Sequence, residues 1–129
     1  MFITSIPQYI QGITNAKVDL TTTAATTLFT VASDADFNVA IVSSILVSND
    51  QGSADTITVT IESGGATFSL FKVEEVGAVS TRELLTRDLV LQSGDVLKVQ
   101  AATINRLHVV ASIQELSKTR VTTSAASRI

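Results

Sequence analysis

The groups that could do chemistry in this chain are few and scattered. One histidine, His108, stands within LHVVASIQEL, and there is no cysteine. A nucleophilic triad needs a base held beside a Ser, Thr or Cys. His108 falls in mid-strand on an alternating pattern, where a histidine is more often a solvated or interface residue than a base. Disulfides and thiolate metal sites are excluded by composition. Carboxylates come closer. Asp34 and Asp36 share one loop, and Asp50 and Asp55 flank another. Loop carboxylates of a β-sandwich can hold calcium, which takes roughly six to eight oxygen ligands. Two acids at i and i+2 are equally what a plain solvated loop carries. Glu74-Glu75 reads as a solvated pair at a strand end or as a rim contact in an assembly. A glycosidase needs two acids facing across a cleft. Sugar recognition wants aromatic platforms, and the chain has no tryptophan and one tyrosine, Tyr9. No glycine-rich phosphate loop opens a helix. These residues assign no catalytic site, no metal ligand and no cofactor, and the chain is expected not to be an enzyme.

Charge narrows the partners. Nine Lys and Arg stand among twelve Asp and Glu, giving a net charge of −3. Nucleic-acid binding rests on clustered cations that release counterions, and no run of three basic residues occurs, so a nucleic-acid partner is not expected. No apolar stretch reaches the roughly 20 residues of a membrane helix. The first residues lack the charged and apolar regions of a secretory signal. No membrane partner is expected. Synthesis and use without general export are.

The elements that would position these groups are strands. Thr, Ser, Val and Ile dominate, and β-branched residues suit a pleated surface. DTITVTIE, Asp55 to Glu62, alternates with period two. Ile57, Val59 and Ile61 share one face, against a Thr ladder on the other. In Leu107 to Leu116 the inward set is Leu107, Val109, Ala111 and Ile113, with Val110 and Leu116 blurring the pattern. Val39 to Asn49 is read as a long strand with Val39, Ile41, Ile45 and Val47 on a common face. Further strands are expected at 18–22, 26–32, 66–73, 82–86, 89–91 and 96–99. Turns fall at Asn49 to Ser53, Ser63-Gly64-Gly65, Ser93-Gly94-Asp95 and Thr103 to Arg106. About eight short antiparallel strands at this spacing predict an all-β sandwich, jelly-roll or immunoglobulin-like.

The ends differ from the middle. The expected organisation is an N-terminal arm at 1–16, a β-sandwich domain at 17–116 and a polar tail at 117–129. The arm carries Phe2, Ile3, Ile6, Tyr9, Ile10 and Ile13. It is too short to make its own core. Exposed apolar surface usually marks an interface, so these six residues are the expected contact with a neighbouring protein.

The middle of the chain resembles a class of small tailed-phage virion proteins. The resemblance lies in VDLTTTAATTLFTV, in VAIVSSILVSNDQGSADTITVTIESGG and in LVLQSGDVLKVQAATINRLHVVASIQEL. Its most distinctive piece is the hairpin with Leu91, Gly94, Asp95, Leu97, Val99 and Ala101. It spans about residues 18–116 and does not include the arm. It implies a non-enzymatic structural component of a phage particle, most directly a capsid decoration (cement) protein. Such a protein is made in the host cytoplasm and placed on the virion surface. The implied partners are further copies of itself, as a homotrimer or other symmetric oligomer, and the major capsid protein. The alternatives are a small tail, neck or baseplate protein, and a carbohydrate-binding adhesin using the 34–36 and 49–55 loops.

Overall fold

The structure, a computed structural model, describes residues 9–33 and 38–117. The described residues form nine strands: β1 (Tyr9–Asp19), β2 (Thr26–Thr30), β3 (Val39–Asn49), β4 (Asp55–Ser63), β5 (Ala66–Val76), β6 (Ser80–Glu83), β7 (Leu89–Gln92), β8 (Val96–Ala101) and β9 (Leu107–Ser117). All pair antiparallel. One sheet, here sheet A, runs β1-β9-β3 with β6 and β7 both on the far edge of β3. The other, sheet B, runs β2-β8-β4-β5.

The pairing is nested. The first strand pairs the last, β2 pairs β8, β3 pairs β6 and β7, and β4 pairs β5 across a tight hairpin. A long antiparallel ribbon folded over in this way is a jelly roll, which settles the topology between the two alternatives. Gly64 and Gly65, at φ 58° and 85°, make the hairpin at the ribbon's tip. Positive φ at both central residues matches the twist of the flanking strands. Gly94, at φ 84°, makes the turn between β7 and β8, and Asp95 closes it by accepting from the Gln92 backbone N–H.

The core lies between the sheets. Val42, Ile45, Val47, Val109 and Ile113 from sheet A meet Ile57, Val59, Leu97 and Val99 from sheet B. All are essentially inaccessible. Burying each is worth about 1.5–3 kcal/mol, and truncating one to alanine costs about 2–5 kcal/mol for an Ile or Leu. Arg82 on β6 spans the gap between the sheet edges. It donates to the Glu75 carbonyl and pairs with the Glu74 carboxylate, both at 2.8 Å. The Glu74-Glu75 pair is thus engaged by one cation.

Two sequence expectations change. In β3 the pairing steps from Val42↔Ile113 to Ser44↔Ser112, leaving Ser43 as a β-bulge. A bulge inserts one residue and inverts the alternation. Ala40 and Val42 therefore point inward with Ile45 and Val47, and Val39 and Ile41 point outward. The arm expected over 1–16 is also shorter. From Tyr9 onward the chain pairs with β9, Tyr9 opposite Ser117 and Ala16 opposite Ala111, so residues 9–16 belong to the sandwich. Phe2, Ile3 and Ile6 lie outside the described residues, as do Asp34, Asp36 and the tail beyond Ser117.

Candidate interaction surface

The outer faces of the two sheets are unlike. On sheet B, Thr56, Thr58, Thr60 and Glu62 of β4 stand beside Gln100 and Lys98 of β8, with Val96 half-buried at the row's end. Lys98 pairs with Glu62 at 2.9 Å. On these two strands this is the ordinary solvated face of an antiparallel sheet; the edge strand β5 adds exposed Val73 beside Thr56, Thr58 and Gln100, and its Phe68 and Leu70 are exposed as well.

Sheet A carries apolar side chains on the face where polar ones are expected. Cross-strand partners share a face, so the register gives its rows. Val39 lies beside Leu116. The next row runs Ile13, Gln114, Ile41, Val90 across β1, β9, β3 and β7. Further along, Lys17, Val110, Leu46 and Glu83 make another row, and Asp19, His108, Ser48 and Thr81 a last one. Ile13 is 83% exposed and Val90 57%. Val110 and Leu116, which blur the alternation of β9, are members of this face. Of the six residues expected to make contacts, Ile13 stands on it. The register of β1 sets Tyr9 opposite Ser117 and Ile10 opposite Leu116.

His108 closes one end of the face. Its Nδ1 lies 2.5 Å from Asp19 Oδ1, and its Nε2 is 3.4 Å from Asp50 Oδ2. A carboxylate only accepts, so the Nδ1 proton points at Asp19. The hydrogen bond to Asp19 raises the imidazole pKa above its ordinary value, against a smaller opposing effect of burial, and Asp50 adds to the rise. The Asp50 carboxyl is lowered, first by the Gln51 side chain and also by His108. The cluster lies in a shallow pocket with Leu20, Thr21, Gln51 and Asn105. It links β1, β9 and the β3–β4 loop through one ring. His108 has no Ser or Thr hydroxyl as its hydrogen-bond partner here; both its nitrogens face carboxylates.

The loops beside this cluster are tied to one another. Asn49 is buried, and its Nδ2 donates to Ser53 O at 2.9 Å and Val76 O at 3.3 Å. Its Oδ1 accepts from Gln51 N at 2.9 Å. Asp55 is buried too, and accepts from Thr56 N and from Thr103 N in the β8–β9 loop. Both its oxygens thus serve the loop framework. Gln51 O accepts from Val79 N, and Leu20 O from Asn105 N. Val73, Val79 and Asn105 all adopt positive φ, at 55°, 48° and 59°. For asparagine that is common, whereas for a β-branched residue it is strained. Val73 sits where two β5 residues oppose fewer on β4, and its N–H finds the Thr58 hydroxyl. Val79 is 74% exposed and Ile104 51%.

At the open side, between the edges of β5 and of β6–β7, Leu70, Phe71, Leu84, Leu85 and Leu89 line a shallow groove. On the outer face Glu83 is held in place by the Ser44 hydroxyl and by the backbone N–H groups of Ile45 and Leu85. These bonds keep its carboxyl below the usual value against burial, which acts the other way.

No known protein family matches the chain, and no curated protein does. Among solved structures, a chain from "Structure of infectious bursal disease virus Gt strain" is similar at a TM-score of 0.39 with 9% identity, over 86% of this chain. This chain spans about a third, 33%, of that one. A likeness of that size bears no weight for function.

Proposed function

We propose that this chain is a non-enzymatic structural protein of a virus particle, a tailed-phage capsid decoration protein that forms a symmetric homo-oligomer and binds the shell of the major capsid protein. The observation that carries the reading is the contrast between the sheets. On β4 and β8 sheet B turns Thr, Gln, Lys and Glu to water, with exposed apolar residues confined to its edge strand β5, while sheet A turns Ile13, Ile41, Val90, Val110 and Leu116 outward across four strands. Surface of that kind on a folded domain marks a protein contact. The resemblance of residues 18–116 to small virion proteins supplies the setting. Repeated sites on a shell suit a rigid domain that presents flat surface and needs no deep pocket.

Quantitative mass spectrometry of purified particles tests this. A decoration protein is expected in hundreds of copies per particle, and a tail, neck or baseplate protein in a few to a few dozen. Absence from particles sinks the virion reading. The Val90→Glu variant should occupy particles less than wild type, while Thr58→Glu on sheet B should occupy them equally.

A further inference from the structure

We propose that the outer face of sheet A pairs with the same face of a second copy, sheet against sheet, about a two-fold axis parallel to the strands. This rests on the reading of that face as protein-binding, and it names the occupant. Two observations select a second copy.

The first is size. β3 has 11 residues, so at about 3.3 Å per residue the face is about 36 Å long. Four strands about 4.8 Å apart make it nearly 20 Å wide. The footprint is about 700 Å² per copy, or about 1,400 Å² in all, within the range of specific stable interfaces.

The second is self-complementarity. A two-fold axis parallel to the strands lays each row against its own reverse, as an isologous contact requires. In the row Ile13 to Val90, Ile13 then meets the partner subunit's Val90. In the row Lys17 to Glu83, Leu46 meets the partner's Val110, and Lys17 meets the partner's Glu83. Ile41 meets the partner's Gln114, and the small polar row Asn15, Ser112, Ser44 lies between these two rows. Two pairs are thus apolar on apolar, and the two rim charges are of opposite sign, which is electrostatic complementarity across the contact. Aligned sheets cross at about 30°, a turn that shifts the edges by a few ångströms, which a side chain as long as Lys17 spans.

Sedimentation equilibrium of the purified full chain, with far-UV circular dichroism as the folding control, tests the pairing. Wild type should sediment at twice 13.6 kDa, or at an even multiple of it that falls by half in the variants. Val90→Glu, and separately Ile13→Glu, should break that contact. Thr58→Glu on sheet B should leave the mass unchanged. Because the chain has no cysteine, Ser112→Cys near the axis should give a covalent dimer with a short bismaleimide, and Thr58→Cys should not. A monomeric or trimeric wild type overturns the pairing. So does a mass that both folded variants leave intact, or cross-linking equal at the two positions. Particle occupancy is scored separately. A monomeric wild type that still coats particles overturns the pairing alone, whereas paired protein absent from particles supports the pairing and sinks the virion reading.

Discussion

Replacing Asn49 by alanine should cost this domain about 2 kcal/mol. Asn49 lies at the end of β3, 1% exposed, and its amide serves three backbone groups. These are not equal. Ser53 and Gln51 are exposed, so their carbonyl and N–H recover water when the amide is gone. Each loss is then worth about 0.5–1 kcal/mol. The Val76 carbonyl lies in a buried position. It also faces Asp55 across the β4–β5 ladder, so it loses one of its donors, worth about 0.5–1.5 kcal/mol. A change of 1 kcal/mol moves the midpoint of a domain this size by about 3–5 °C, so Asn49→Ala should lower Tm by about 8 °C. Asn49→Asp separates the donor role from the acceptor role. A carboxylate still accepts from Gln51 N, but it cannot donate to Val76 O until it is protonated. Its loss should shrink toward acid pH, whereas that of Asn49→Ala should not. Thermal unfolding at two pH values checks both. A Tm drop below about 3 °C for Asn49→Ala would mean that the three bonds of this amide do not hold the loop framework.

Three further outcomes are expected. The imidazole of His108 should titrate above its ordinary value by NMR, and Asp19→Asn should bring it down more than Asp50→Asn does. Because its folded pKa is raised, its contribution to stability is complete below the unfolded pKa of about 6.5. It fades as pH rises through the folded value; the opposite trend refutes the clamp. Deleting residues 1–8 should leave the sandwich folded, because the pairing of β1 begins at Tyr9. Deleting 1–14 removes the first ladder positions of β1 and should lower Tm markedly, and equal Tm values for the two deletions would refute the register. Val79→Gly should leave stability unchanged or raise it by up to about 1 kcal/mol, since relief of the left-handed strain offsets the added chain entropy. A clear loss would show that the valine side chain packs in the monomer.

The inner lattice was legible where alternation is clean. Ile57 and Val59, and Leu107, Val109, Ala111 and Ile113, point inward as their spacing predicts. Gly64-Gly65 and Gly94 stand where the turns were read, because positive φ has a residue signature. What failed was phase across the bulge at Ser43. A one-residue insertion leaves no mark on composition, and it moved Val39 and Ile41 from the inner face to the outer one. The interaction face was hidden for the same reason. Val110 and Leu116 looked like noise in a two-faced pattern until the register set them beside Leu46 and Val39. Asp55 sits in a turn-flanking position that reads as solvated, yet its oxygens take the N–H of the adjacent Thr56 and that of Thr103 in the distant β8–β9 loop. Long-range closure of that kind has no local signal. Val73 and Val79 in the left-handed region run against propensity, which is why no turn chemistry pointed to them.

The nested pairing also sets a schedule for synthesis. Among the described residues β1 has its ladder partner in β9, which runs to Ser117. β2 likewise waits for β8. A ribosome adding about 5–20 residues per second emits the amino end first. The leading strand therefore stays unpaired for several seconds, until the trailing strand clears the exit tunnel. Only the central β4–β5 hairpin can zip early, and the rest must close outward from it, a high-contact-order route that is slow for its size. A message truncated anywhere before β9 would release a chain with an exposed sheet edge and no means of sealing it.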